Sequence, residues 1–274
     1  MSVFILILWN VIKLYKMKRI LIIGFVLTIS ATSCIKDLIC INGNGMIETQ
    51  SRETSSFNQI ENSTGADVIY TQSDDVSITV VAESNLLGHI VTESVNGNLK
   101  IKMDPWNACL DYNVRPVITV TSPELKNIVL SGSGTLFADI MSGSSVIIRL
   151  SGSGDIVAEN LSCDDLSVIL PGSGDVSVAD ASCQDADIVL SGSGNIGISG
   201  NGENGHLRIS GSGNINADEF QLNSATETIS GSGNIFTYVI SSLTAVISGS
   251  GNIYLKGDPS INQTVSGSGR IIKY

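Results

Sequence analysis

The sequence predicts an all-β fold, a right-handed parallel β-helix or β-solenoid with about 18–20 residues per rung. Three observations carry this. The tetrapeptide SGSG occurs seven times, with an eighth copy reading PGSG, beginning at Ser131, Ser151, Pro171, Ser191, Ser210, Ser230, Ser248 and Ser266; the intervals are 20, 20, 20, 19, 20, 18 and 18 residues. A motif at so fixed a period marks units that cannot bury an apolar face alone and stack on their neighbours. The residue before each motif is aliphatic (Leu130, Leu150, Leu170, Leu190, Ile209, Ile229, Ile247, Val265), and so is the second residue after it (Leu136, Ile156, Val176, Ile196, Ile215, Ile235, Ile253, Ile271). These columns share one parity, which is a strand period. Finally, aromatic residues are 5% and charged residues 15% of the chain, as suits a thin coil filled by small and β-branched side chains. The N/C-x-L signature of leucine-rich repeats, whose period is similar, is absent.

Taken in order, residues 1–33 are expected to be a signal peptide. Residues 17–34 read MKRILIIGFVLTISATSC: Lys18 and Arg19, then an apolar run from Ile20 to Ile29, then small residues. That run is too short for a comfortable membrane span. Met17 is the expected start, with 1–16 an upstream extension or, alternatively, a real apolar segment. Ala31, Thr32 and Ser33 before a cysteine resemble a bacterial lipobox, which makes Cys34 the expected lipid attachment site and 34–44 a linker behind it. Ile35, Lys36 and Asp37 resemble signals that send some lipoproteins to the outer face.

Residues 45–126 lack the motif but are β-rich, with strands expected at 67–72, 76–82, 99–103 and 117–121, a hairpin turn at Asn96-Gly97, and one short helix over 85–93. The repeats occupy 127–274, with the strand at Val117 abutting their first rung, and 45–274 is expected to be one domain. Within each motif the parity places the glycines inward, as in Gly132 and Gly134, and the serines outward. This predicts a corner without room for a side chain. Stacking at about 4.8 Å then makes a ladder of Asn195, Asn214, Asn234 and Asn252. Cys40, Cys109, Cys163 and Cys183 are candidate disulfide residues in an oxidising compartment. Cys163 and Cys183 fall at one place in consecutive rungs, as a disulfide or as stacked thiols.

The order Gly43-Asn44-Gly45, Phe57-Asn58-Gln59-Ile60, Ala66-Asp67-Val68, Glu83-Ser84-Asn85-Leu86, Asn96-Gly97-Asn98-Leu99-Lys100-Ile101 and Ser122-Pro123-Glu124-Leu125, running into repeated SGSG, resembles the putative auto-transporter adhesin head GIN domain family over residues 43–274. The resemblance implies a β-solenoid on a secreted or lipid-anchored protein of a Gram-negative envelope.

The net charge is −11; without residues 1–33 it is −15, from 11 basic against 26 acidic residues. No basic patch exists to neutralise phosphates, so nucleic acid is excluded as a partner. Asp155 and Asp175 share a column in adjacent rungs, where a carboxylate pair would suit a retaining glycosidase. The column otherwise holds Thr135, four Asn and Arg270, which is a turn position. GSGD resembles the calcium-binding nonapeptide but sets the acid one place early, and no CxxC pair or HExxH motif supports zinc. His89 and His206 stand far apart, outside any nucleophile motif. Trp106 and Tyr112, near Asp104 and Asp111, are expected as core or loop anchors. No catalytic residue, metal or cofactor is therefore expected. The expected function is a non-enzymatic, lipid-anchored outer-membrane protein, periplasmic or surface-exposed, that binds a glycan or protein surface and self-associates weakly through its last rung. The alternative is a polysaccharide-acting enzyme on a β-helix scaffold.

Overall fold

The computed structural model describes residues 40–274; the expected signal peptide, Met17 and Cys34 lie outside the described residues. In chain order the strands are β1 (Cys40–Asn42), β2 (Ile47–Arg52), β3 (Gln59–Asn62), β4 (Asp67–Gln72), β5 (Ser77–Glu83), β6 (Ile90–Val95), β7 (Asn98–Met103), β8 (Cys109–Asp111), β9 (Val117–Ser122), β10 (Asn127–Leu130), β11 (Thr135–Leu150), β12 (Asp155–Leu170), β13 (Val176–Leu190), β14 (Ile196–Ile209), β15 (Ile215–Ile229), β16 (Ile235–Ile247), β17 (Ile253–Lys256), β18 (Ser260–Val265) and β19 (Ile271–Lys273). They build a β-solenoid of about 7 turns, and Ile41–Tyr274 is one compact unit.

Each repeat is one three-sided rung, and β12 shows how its sequence makes one. Ile156 and Ala158 point into the core; Glu159 and Asn160 are both exposed, which breaks the alternation and turns the chain. Leu161 begins a short second side, Asp164 and Asp165 make the next corner, and Leu166, Val168 and Leu170 fill the third side. The SGSG motif turns the third side into the first side of the following rung. Successive rungs pair in parallel register, with Ile156 beside Val176 and Leu170 beside Leu190. The inward aliphatic side chains merge into one continuous core.

The glycines of the corner are fixed by close approach between backbones. A Cβ built on Gly152 falls on the carbonyl oxygen of Gly132, one on Gly172 on that of Gly152, and so on through Gly269. The obstruction lies along the solenoid axis, in the preceding rung, and not in the core as the sequence parity had implied. The serines between them are exposed, and their N–H groups keep the ladder running across the corner: Ser173 N–H donates to the Gly152 carbonyl at 3.0 Å and Ser193 N–H to the Gly172 carbonyl at 3.2 Å.

The N-terminal half continues the coil out of sequence order. β3 and β4 form the rung directly beneath the repeats, β3 beside β10 and β4 beside β11. β7 and β9 form the layer beneath that. The strand at Val117 is therefore one layer removed from the first repeat rung; β4 abuts it. β5 runs antiparallel to β9, β2 to β5, and β6 to β7, closing this end of the coil. The β6–β7 turn is Asn96-Gly97, both at positive φ, as an Asn-Gly hairpin requires. Of the helix expected over 85–93, one 3₁₀ turn forms at Leu87–His89; the β-branched run from Ile90 joins β6 instead. At the corner preceding the repeats, Ser63, Thr64, Gly65 and Ala66 stand where SGSG will stand, and the buried Asn62 side chain bonds Thr64 and the Ala66 carbonyl.

Cys163 and Cys183 are free thiols, so the in-register disulfide considered for them is not formed. Residues in register point their side chains in parallel, not toward each other, and burial pushes the two thiols up to about 11 and about 12. Cys40 and Cys109 are both disulfide-bonded.

One core column breaks the aliphatic rule. Glu227 stands between Leu207 and Ala245, is 0% exposed, and faces a core whose other fully buried polar group on these rungs is Thr237. Neither carboxyl oxygen of Glu227 nor the Thr237 hydroxyl has a hydrogen-bond partner. Burial pushes the carboxyl up to about 7, and the Thr237 hydroxyl, nearby but outside bonding geometry, acts the other way.

Two outcomes follow from this packing. Gly192→Ala sets a methyl against the Gly172 carbonyl and should lower stability by about 1–3 kcal/mol. Ser193→Ala, facing solvent, should stay within about 0.5 kcal/mol; urea midpoints compare the two. For Glu227 the folded pKa lies above the unfolded one. Its contribution is intact below about pH 4.5, the ordinary carboxyl value, and is lost as pH rises through about 7. The loss should be on the order of 3 kcal/mol. Glu227→Gln should flatten the profile, read as thermal midpoints at pH 5 and pH 8.

Candidate functional site

The position directly after each corner carries a ladder. Within the corner the N–H groups point back to the preceding rung, whereas Ile196 N–H donates forward to the Asn214 carbonyl at 3.0 Å. The intervening residue still points back, and a side chain meets it. Asp155 Oδ1 accepts the Asp175 N–H at 3.0 Å, and Asp175 Oδ1 accepts from the N–H and the side-chain amide of Asn195 at 2.7 and 3.1 Å. The relay continues from Asn195 to Asn214, Asn234, Asn252 and the N–H of Arg270. The same device recurs below the motifs, where Asp67 Oδ1 accepts the Thr135 N–H at 2.8 Å; between the two, the Asp155 N–H reaches the Gly134 carbonyl instead. Asp155 and Asp175 are thus engaged as ladder acceptors, which accounts for their shared column without catalysis.

The separate signature pieces of the N-terminal half also meet. Glu83, fully buried, accepts from the Gly45 N–H and from the N–H and side-chain amide of Asn113. The Asn113 amide and those backbone donors hold its carboxyl below the usual carboxylate range. Asn44 donates to Ser84 Oγ at 2.8 Å, and its own N–H donates to Asn85 Oδ1 at 3.0 Å. A Cβ on Gly43 would fall on the Glu83 carboxylate. Gly43-Asn44-Gly45 and Glu83-Ser84-Asn85 are therefore one clamp, and their role is structural.

His89 Nδ1–H donates to the Asp104 carbonyl at 2.9 Å, and His206 is exposed on β14. Among the described residues no group of three or more His, Cys, Asp and Glu is arranged to hold a metal ion. Trp106 is not an anchor: it is 89% exposed.

An open groove of about 1000 Å³ lies on the second side of the rungs, across β13 to β16. Its floor is set low by β14, whose second side reads Gly200-Asn201-Gly202-Glu203-Asn204-Gly205. Polar columns cross it. Asn204 donates to Asp185 at 2.9 Å, Asn223 to Glu203 at 2.7 Å, and Ser241 to Asn223 at 2.5 Å. Asn201 is in register with Gln221, and Gln221 with Tyr238, which brings the groove to an aromatic edge. There Phe236 stacks on Tyr254 with ring centres 4.6 Å apart, and the Lys256 ammonium lies 4.7 Å from the centre of the Tyr238 ring. The irregular repeat spacing is spent beside this groove: the register shifts fall between Val178 and Ala181, Gly197 and Ser199, and Ala217 and Gln221, with one more between Leu222 and Ser224. Sequence columns keyed to SGSG do not reach this side. The shortened intervals of 19, 18 and 18 residues were the available signal for it.

With this geometry in place, the comparisons are direct. The family described as putative auto-transporter adhesin, head GIN domain, matches residues 56–259, and the chain belongs to it. Among solved structures, a putative lipid binding protein from Parabacteroides distasonis is 32% identical with a TM-score of 0.80, covering 85% of this chain and 99% of its own. A putative adhesin from Parabacteroides merdae is 23% identical with a TM-score of 0.80, covering 85% and 98%. Another from Bacteroides fragilis is 24% identical with a TM-score of 0.64, covering 85% and 100%. No curated protein matches. No helix among the described residues is long and apolar enough to cross a membrane.

The ladder makes a prediction of its own. Asn214→Ala removes the acceptor for the Asn234 N–H and amide and should cost about 1 kcal/mol. Asn214→Asp keeps that acceptor and should cost less, as read by chemical denaturation.

Proposed function

We propose that this chain is a non-enzymatic adhesin-type protein of the cell envelope, held at the outer membrane through a lipid on Cys34. On this reading it binds a hydroxyl-rich surface ligand, a neutral glycan, in the groove across β13 to β16. The observation that carries this reading is the concentration of rung-length variation and unrepeated side chains on the groove side, because repeat proteins vary on the face they use for binding. The lining supports the ligand class. Amides of Gln184, Asn201, Asn204 and Gln221 both donate and accept, as vicinal hydroxyls require. Asp185 and Glu203 line the groove without a Lys or Arg, which disfavours acidic polymers. The columns recur at about 4.8 Å per rung, close to the advance of one sugar unit in an extended chain. Membership of an adhesin-head family and the names of two solved relatives agree with adhesion.

A form beginning at residue 40 carries the whole compact unit, and the solved relatives consist almost wholly of the equivalent region. On an array of neutral and acidic oligosaccharides it should bind neutral linear chains. Gln221→Ala with Asn223→Ala should weaken binding by about tenfold at an unchanged thermal midpoint. Binding that ignores this double variant, or that favours acidic chains, overturns the groove assignment. In cells, Cys34→Ala should move the full chain from the membrane to the soluble fraction; retention in the membrane overturns the anchor.

A further inference from the structure

We infer that the β7–β8 loop bearing Trp106 is a membrane-interface contact that seats the N-terminal end of the solenoid on a lipid surface; this rests on the reading that the chain is held at a membrane through Cys34. Trp106 sits on residues 104–108 and is 89% exposed, a large departure for a residue type that is highly buried on average. Its loop follows Met103 and leads into β8, and β8 pairs with β1. Beside that pair, Gly43 N–H donates to the Asp111 carbonyl at 2.8 Å. The chain thus enters the domain next to the Trp106 loop.

β1 begins at Cys40, six residues after Cys34. An extended tether of that length spans at most about 20 Å, so a lipid on Cys34 holds this end of the solenoid close to the bilayer. Exposed apolar side chains also follow the two paired strands. Met46, 64% exposed, and Val114, 53% exposed, each lie within four residues of the β1–β8 pair. Trp106 also borders a small recess of about 270 Å³, lined by Met103, Ala108, Leu110 and Tyr112 together with the polar corner of Ser63, Thr64, Gly65 and Ser133.

Trp and Tyr have an apolar body and a polar handle, which is why they settle at the headgroup level of membranes. The lipid holds the chain at the bilayer without fixing how this end is seated; the Trp106 contact does that through its interfacial preference, since the acidic chain offers no polybasic patch for anionic lipid. The groove on β13 to β16 stands on later rungs, apart from this contact.

The test uses a favourable count. Trp9 and Trp106 are the only tryptophans of the chain, so a form beginning at residue 40 reports on Trp106 alone. That form is tethered by an N-terminal polyhistidine tag to vesicles of phosphatidylethanolamine and phosphatidylglycerol containing a nickel-chelating lipid. Trp106 emission should shift to the blue, be quenched by brominated phospholipid, be shielded from iodide, and stay so at high salt. Trp106→Ala with Phe236→Trp, placing the reporter on the outer rungs, should show none of these changes. Emission and iodide quenching of Trp106 that are the same with and without vesicles, or a shift abolished by salt, overturn the inference. The artificial tether makes this result independent of Cys34, whose anchoring role stands or falls on cell fractionation of Cys34→Ala.

Discussion

Everything in this molecule depends on how closely two backbones meet at the glycine corner. Parallel rungs must stack at about 4.8 Å on all three sides at once, and a corner is where side chains would force them apart. With glycine at both inner positions, the carbonyl of one rung occupies the volume that a Cβ of the next would need. The serine N–H can then reach that carbonyl and carry the ladder through the turn. A wider corner would break these bonds and lift the sides out of register. The rung beneath the repeats reaches the same spacing by other means. Thr64 and Ala66 present the carbonyls, and the Asn62 side chain meets the backbone groups left over.

Hydrogen-bond accounting explains the remaining regularity. A parallel ladder that bends must change the direction of its donors, which strands one N–H per rung, and a buried or half-buried N–H needs a partner. The Asp/Asn column supplies it, using a side chain that also donates to its neighbour. Asn is favoured over Asp because its amide both accepts and donates, so one residue type can repeat without end, whereas stacked carboxylates only accept. In a solenoid the interactions are between nearest neighbours, so an exception such as Glu227 weakens β14 to β16 locally without unmaking the rest.

Much of this was legible in the sequence because the constraint recurs. The SGSG period revealed the rung, the flanking aliphatic columns its first and third sides, and the four asparagines the ladder. The family resemblance in residues 43–126 reflects a real spatial unit, the Glu83 clamp, though spacing alone did not show that Gly43-Asn44-Gly45 and Glu83-Ser84-Asn85 touch. What stayed hidden was whatever does not repeat. The second side has short, variable segments, so its groove could not be aligned by eye from the motif. The order of layers at the N-terminal end is not the order of the chain, so β4, and not the strand at Val117, came to lie under the repeats. The exposure of Trp106 depends on how a single loop departs from the coil, and no periodicity reports that.

The same contrast orders the outer surface. The corner with its serines and the Asp/Asn column are tied to the spacing of the rungs and cannot vary freely without loss of stacking. The second side is joined to them by bulges that absorb one or two residues at a time, so its sequence is released from the repeat while the core columns stay in register. A thin solenoid has little interior in which to build a site, since its core is filled by the stacked side chains themselves. The side that the stacking leaves free is then the one open to unrepeated side chains, and on this chain it carries Asn201, Glu203, Gln221 and Asn223.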